Sequence, residues 1–89
     1  MEIQIDPHTL ERAEERGTDE HEIKDVLNTG SRIQAKQGRK GKAKVYEFKM
    51  DRHGEYYQQK RVEVIYAIGN NIMITVTVYV FYGIWKESK

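Results

Sequence analysis

The chain contains no cysteine. Disulfide staples, thiolate zinc centres and a cysteine nucleophile are therefore excluded together. The same absence suits a cytoplasmic protein, because small domains of oxidising compartments lean on disulfides. The opening residues, MEIQIDPH, have neither the basic start nor the apolar run of a secretory signal. The three histidines, His8, His21 and His53, have no ligand spacing, so neither a metal nor another cofactor is expected.

Charge is missing over the longest distance. Val64 to Trp85 (VIYAIGNNIMITVTVYVFYGIW) has no charged residue in 22 positions, although 33% of the chain is charged. As one helix that stretch is long enough to span a bilayer. Gly69-Asn70-Asn71 at its centre argues against this, since two amides in hydrocarbon are costly. No membrane partner is expected. The β-branched and aromatic residues on either side predict a hairpin instead.

At 89 residues the chain is one domain, 1–89, with a helical part at 6–30 and a sheet part at 31–85. Ile3 and Ile5 mark a short strand at Glu2–Ile5. Asp6 is the expected N-cap and Pro7 the first residue of a helix that ends at Gly17. Leu10 and Ala13 form its narrow apolar stripe. His8, Arg12 and Arg16, at i, i+4 and i+8, form a basic stripe beside acidic Glu11, Glu14 and Glu15. Thr18 is read as the cap of a second helix, Asp19–Thr29, which buries Ile23, Val26 and Leu27 and stops at Gly30.

From Ser31 the period falls to two. Strands are expected at Arg32–Lys36, Ala43–Met50, Tyr57–Ile68 and Ile72–Tyr82. A basic loop, Gly38–Lys42, joins the first two; it lacks the GxxxxGK(S/T) pattern of a phosphate-cradling loop. A three-residue turn, Gly69-Asn70-Asn71, pairs Val64 with Val76 and Val62 with Val78. One face then carries Tyr46, Phe48, Met50, Val62, Val64, Tyr66, Ile68 and the even positions Ile72 to Tyr82, and makes the core. The opposite face carries Val45, Glu47, Lys49, Arg61, Glu63, Ile65, Ala67, Met73, Thr75, Thr77, Tyr79 and Phe81. Its mixture of apolar, charged and hydroxyl groups marks a binding or partner surface. The expected architecture is α+β: a short N-terminal strand, then two helices packed on one face of a four-stranded, mainly antiparallel sheet. A bare, uncharged last strand invites edge-to-edge association. Glu2–Ile5, the Gly83–Lys89 tail or a second subunit should cover it.

Charge is also unevenly divided. Met1–Gly30 has nine acidic residues against three basic, whereas Ser31–Lys49 has seven basic against one acidic. Attraction between these parts in the fold explains that division; so does a basic patch that meets phosphates.

The segment HTLERAEERGTDEHEIKDVLNTG (His8–Gly30), with the terminal ITVTVYVFYGIW, resembles a small bacterial family of unknown function. That family is grouped with the RelE/ParE/BrnT-like toxin superfamily. The motif is His8, Arg12 and Arg16-Gly17 together with the hydrophobic last strand. RelE-like members are ribosome-dependent endoribonucleases that work on the open face and rim of a sheet, whereas ParE-like members act on a topoisomerase. The resemblance implies a toxin-like protein acting on RNA or the ribosome, with a small antitoxin protein as partner. It brings Arg61, Glu63, Tyr79 and His8 forward as catalytic candidates, with Glu47 a second base. Arg12, Arg16, Arg39, Lys40, Lys42, Lys44 and Lys49 are the candidates for nucleic-acid phosphates. The alternative from the residues alone is a homodimeric interaction module anchored by Ile65, Met73, Tyr79 and Phe81. A nucleic-acid binder without catalysis, using Arg39, Lys40, Lys42 and Lys44, is the third reading.

Overall fold

A computed structural model describes residues 1–85. Its elements, in chain order, are β1 (Glu2–Gln4), α1 (Pro7–Arg16), α2 (Glu20–Thr29), β2 (Ser31–Ile33), β3 (Lys40–Arg52), β4 (Glu55–Gly69) and β5 (Ile72–Gly83). The α+β class is as expected. The sheet differs: it is five-stranded and mixed, in the order β1-β5-β4-β3-β2. The short N-terminal strand joins it parallel to β5, with Ile3 opposite Met73. It therefore covers the first residues of the last strand, one of the three covers anticipated. The tail beyond Trp85, another of them, lies outside the described residues. β2 is shorter than the alternation suggested, and Lys40–Lys42 of the expected loop belong to β3.

α1 begins as the sequence dictates. The Asp6 carboxylate accepts the His8 N–H at 2.8 Å, and Pro7 occupies the first turn. The buried side of α1 is shifted by one residue from the expected stripe. Thr9 and Ala13 are buried, while Leu10 is 37% exposed. Hydrogen bonding explains the shift. Thr75 donates its hydroxyl to the Thr9 hydroxyl at 3.0 Å and accepts the Asp6 N–H at 3.0 Å. Burying two hydroxyls is tolerable because each has the other as a partner. In α2 the cap is Asp19, which accepts the Glu22 N–H at 2.9 Å; Thr18 instead donates its hydroxyl to Glu22 Oε1 at 2.7 Å. Ile23, Val26 and Leu27 are buried against Val62, Val64 and Val78. Each fully buried aliphatic side chain of this kind contributes about 1.5–3 kcal/mol.

The β4–β5 hairpin corrects the expected register. Gly69 pairs with Ile72 across a two-residue turn, Asn70-Asn71, whose φ angles are 52° and 64°. Asparagine tolerates this left-handed pair, which matches the twist of adjoining strands. Tyr66 faces Thr75, Val64 faces Val78 and Val62 faces Val80. Between Thr75 and Thr77 the register shifts, and Val76 is the extra residue. Consequently Met73 and Thr75 face the helices instead of Ile72, Ile74 and Val76, and the even positions return to the core only from Val78. A second bulge, near Lys49 (φ 51°), turns Met50 out of the expected core face; it is 56% exposed.

Polar anchors hold both helices on the sheet. The last carbonyls of α1 each receive a donor from a different strand. Arg52 Nη2 bonds Glu15 O at 2.9 Å, the Tyr82 hydroxyl bonds Arg16 O at 2.7 Å, and Lys60 Nζ bonds Gly17 O at 2.8 Å. Lys60 also meets Glu22 Oε1 at 2.8 Å and lies over the Phe48 ring, which packs edge-on against Tyr82. Burial pushes the Tyr82 phenol up from its ordinary range, which keeps it a donor. α2 is fastened through Asp25, which accepts Lys44 Nζ at 2.7 Å and the Tyr46 hydroxyl at 2.6 Å. Lys42 Nζ caps Leu27 O near the end of the same helix, at 2.9 Å.

Two predictions follow from these anchors. Gly17 has φ 96°, and a Cβ there would overlap the Tyr82 hydroxyl and crowd Arg52. Gly17→Ala adds left-handed strain of about 1–2 kcal/mol and costs the Tyr82 bond about 1 kcal/mol more. Thermal unfolding should register a Tm lower by roughly 8–24 °C. Asp25 is held down to about 2 from its ordinary 3.8, first by the Lys44 hydrogen bond and then by that of Tyr46. A carboxyl depressed in the folded state stabilises fully above its unfolded pKa, and that contribution disappears as pH falls through the folded value. The Tm gap between the wild type and Asp25→Asn should therefore stay constant above about pH 4 and close between about pH 4 and pH 2. A gap unchanged down to pH 2 would remove Asp25 from the account.

Candidate functional site

The helices occupy one face of the sheet and leave the other open. On that face the pairing Ala43–Glu63–Tyr79 crosses three strands, with Val45–Arg61–Phe81 and Gly41–Ile65–Thr77 on either side. Arg61 Nε donates to Glu63 Oε2 at 2.9 Å, and both side chains are half-buried. The Tyr79 and Phe81 rings lie nearly parallel, their centroids 6.5 Å apart, and they are 42% and 48% exposed. Solvent-facing aromatics at this density on a sheet are contact surfaces more often than structural supports.

The segment after β2 turns this face into a groove. Residues 34–39 reverse direction at Gln37 (φ 60°) and Gly38 (φ 72°), closed by the Arg39 N–H bonding Lys36 O at 3.2 Å. The reversal hangs over β4 and β5. It encloses a groove of about 380 Å³ whose wall includes Gln34, Lys36 and Arg39 and whose floor includes Glu63, Thr77 and Tyr79. This volume lies within the range of small-ligand sites. Close packing sets the loop's height: Ile33 and Ile65 both press on Gly41, where a Cβ would lie 2.8 Å from Ile33 Cγ1. A second recess, of about 490 Å³, adjoins along the β3 side and includes Arg32, Arg61 and Trp85 in its lining. One wall is thus cationic, and the floor offers a carboxylate, a hydroxyl and a phenol. Cations can hold a phosphate, the carboxylate can accept a proton, and the rings can stack a base.

Of the residues marked by sequence, the groove brings together Arg39, Glu63 and Tyr79, with Arg61 attached through its ion pair. Lys40 lines a smaller cavity with Tyr66. Lys42 and Lys44 point to the helix side and are engaged with Leu27 O and Asp25. Lys49 is exposed on its bulge, 3.7 Å from Glu47. His8, 3.9 Å from Glu11, and Arg12, 3.2 Å from Glu15, sit on the surface of α1, which packs on the opposite side of the sheet. Arg16 alone connects the two sides. Its guanidinium donates to Val78 O at 2.6 Å and lies 5.4 Å from the centroid of the Tyr79 ring. Lys36 and Gln34 were not singled out from sequence. The alternation of Arg32–Lys36 concealed them, because it read as a strand; Gly38 was the one signal of a reversal.

Among the described residues, no group of three or more histidine, aspartate or glutamate side chains is placed to hold a metal ion. No helix among them is long and apolar enough to cross a membrane. No curated protein and no solved structure matches the chain. A family profile does match, over residues 5–80, a span that includes both helices and every residue that lines the groove; the chain belongs to the family described as Domain of unknown function (DUF4258).

Proposed function

We propose that the open-face groove is an RNA site and that the protein is a toxin-like endoribonuclease of the RelE-like kind. One observation carries the reading. A basic reversal far away in sequence closes over the same face that presents Arg61, Glu63 and Tyr79. The resemblance to the RelE/ParE/BrnT-like superfamily supports it, since RelE-like members use basic residues with tyrosine or glutamate on an open sheet face. The chemistry needs no cofactor. Glu63 takes the proton of a ribose 2′-hydroxyl, and that oxygen attacks the adjacent phosphorus. The 5′-oxygen of the next nucleotide departs and receives a proton from Tyr79, leaving a cyclic phosphate behind. Arg61 and Arg39 offset the charge that builds on the phosphoryl oxygens. The Glu63 and Tyr79 positions, directly opposite on neighbouring strands, suit a base and an acid on either side of one phosphate.

Induced expression in a bacterial host, with growth and RNA integrity followed together, tests the reading. Arrest with RNA fragmentation is expected, and Arg61→Ala should abolish both. Normal growth with intact RNA at high expression would overturn it. In purified protein, Tyr79→Ala should weaken single-stranded RNA binding by about 1–3 kcal/mol, roughly 5- to 150-fold, through lost stacking. Arg39→Ala should lower the slope of log K against log salt by about 0.7, the contribution of one phosphate contact on a single strand.

A further inference from the structure

The outer edge of β5 is only partly covered. β1 pairs with Ile72–Ile74 and ends there. Beyond the bulge, backbone groups alternate between β4 and the outside. Arg16 reaches Val78 O from outside, so Val78, and with it Val80 and Tyr82, turn N–H and C=O away from β4. Arg16 occupies the first carbonyl of this series. Val80 and Tyr82 keep four outward groups that the described strands do not pair. The chain then leaves the edge: the Trp85 N–H donates to Gln59 Oε1 of β4 at 2.7 Å, which draws Trp85 across the sheet.

The contrast with the other long free edge is informative. β2 covers only Gly41–Ala43 of β3. Past that point β3 carries Lys44, Glu47, Lys49, Asp51 and Arg52 and a bulge, the ordinary protections against edge pairing. Val78–Gly83 has no charged residue, no proline and exposed Phe81.

We infer that two copies of the chain pair through this edge, antiparallel about a two-fold axis at Phe81, to make one continuous ten-stranded sheet. The axis follows from Arg16. With Val78 O occupied, the register that uses the remaining groups sets Val80 against Tyr82 of the partner subunit and Tyr82 against the partner's Val80. Each pair exchanges two hydrogen bonds. Phe81 then faces the partner's Phe81 on the open side, in the closely spaced kind of pair. Tyr79 faces Gly83 of the partner subunit, a large ring over a residue with no side chain. The same match recurs on the other side of the axis. A second copy thus pairs all four outward groups of Val80 and Tyr82, with no charge brought opposite a like charge; it is the occupant that this edge specifies. Both grooves come to lie on one face, and the pairing holds whether or not they bind RNA.

The absence of cysteine makes the test clean. Light scattering on the full chain at micromolar concentration should give twice the 10.5 kDa mass. Val80→Pro removes an outward N–H that the fold does not use, so it should yield a monomer with an unchanged circular dichroism spectrum. Phe81→Cys should form a reducible covalent dimer at least about tenfold faster than Tyr56→Cys, since pairing raises the local thiol concentration. Tyr56 is 59% exposed and distant from the axis along the hairpin. A monomer mass for the wild type overturns the inference. So does a dimer in which Phe81→Cys crosslinks no faster than Tyr56→Cys, or one that a folded Val80→Pro leaves intact. Should Val80→Pro not fold, the two crosslinking rates decide.

Discussion

The fold depends on how the end of α1 is satisfied. A helix ends with carbonyls that have no partner within it, and here the end is turned toward the sheet. Arg52, Tyr82 and Lys60 reach it from β3, β5 and β4 respectively, so one helix terminus holds three strands in mutual position. Cations at that end also suit the direction of the helix dipole. Gly17 is the residue that lets the donors approach, because a side chain there would occupy the space of the Tyr82 hydroxyl. The junction between helices and sheet is therefore largely polar, while the fully buried aliphatic side chains below it are few and mostly short: Ala13, Ile23, Val26, Leu27, Val62, Val64 and Val78.

The contrast between an acidic first third and a basic segment after it resolves into two uses. Lys44 and Lys60 neutralise Asp25 and Glu22 between the layers, and Lys42 binds a helix carbonyl. Those cations belong to the fold. Arg32, Lys36 and Arg39 are not drawn into it and border the open-face cavities. Attraction between the segments and a basic patch are thus both present, divided by which side of β3 and its loop a residue occupies.

Much of this was legible in residues. Asp6-Pro7 and Arg16-Gly17 fixed the limits of α1, and the apolar triplet of α2 marked its buried side. The open face of Arg61, Glu63, Thr77, Tyr79 and Phe81 was assigned correctly. The turn half of β5 was not, and for a physical reason. Its even positions are uniformly aliphatic, so alternation favoured burying Ile72 and Ile74. Thr75 is buried instead, because its hydroxyl has partners in Thr9 and the Asp6 N–H, and hydrophobicity has no record of such pairs. The groove was hidden for a related reason: its wall is a reversal whose position depends on Ile33, Gly41 and Ile65 meeting from three strands.

The extra residue at Val76 shows what a strand gains from being one residue too long. Removing it on paper leaves every pairing from Val64–Val78 onward in place and every side chain on its present side, so topology does not require it. What it changes is shape. A bulge increases local twist and bends its strand, and this one stands in the wall of the groove itself. Concavity and connectivity are then encoded separately in the hairpin: chain length at this one position sets the curvature of the surface without altering the pairing around it.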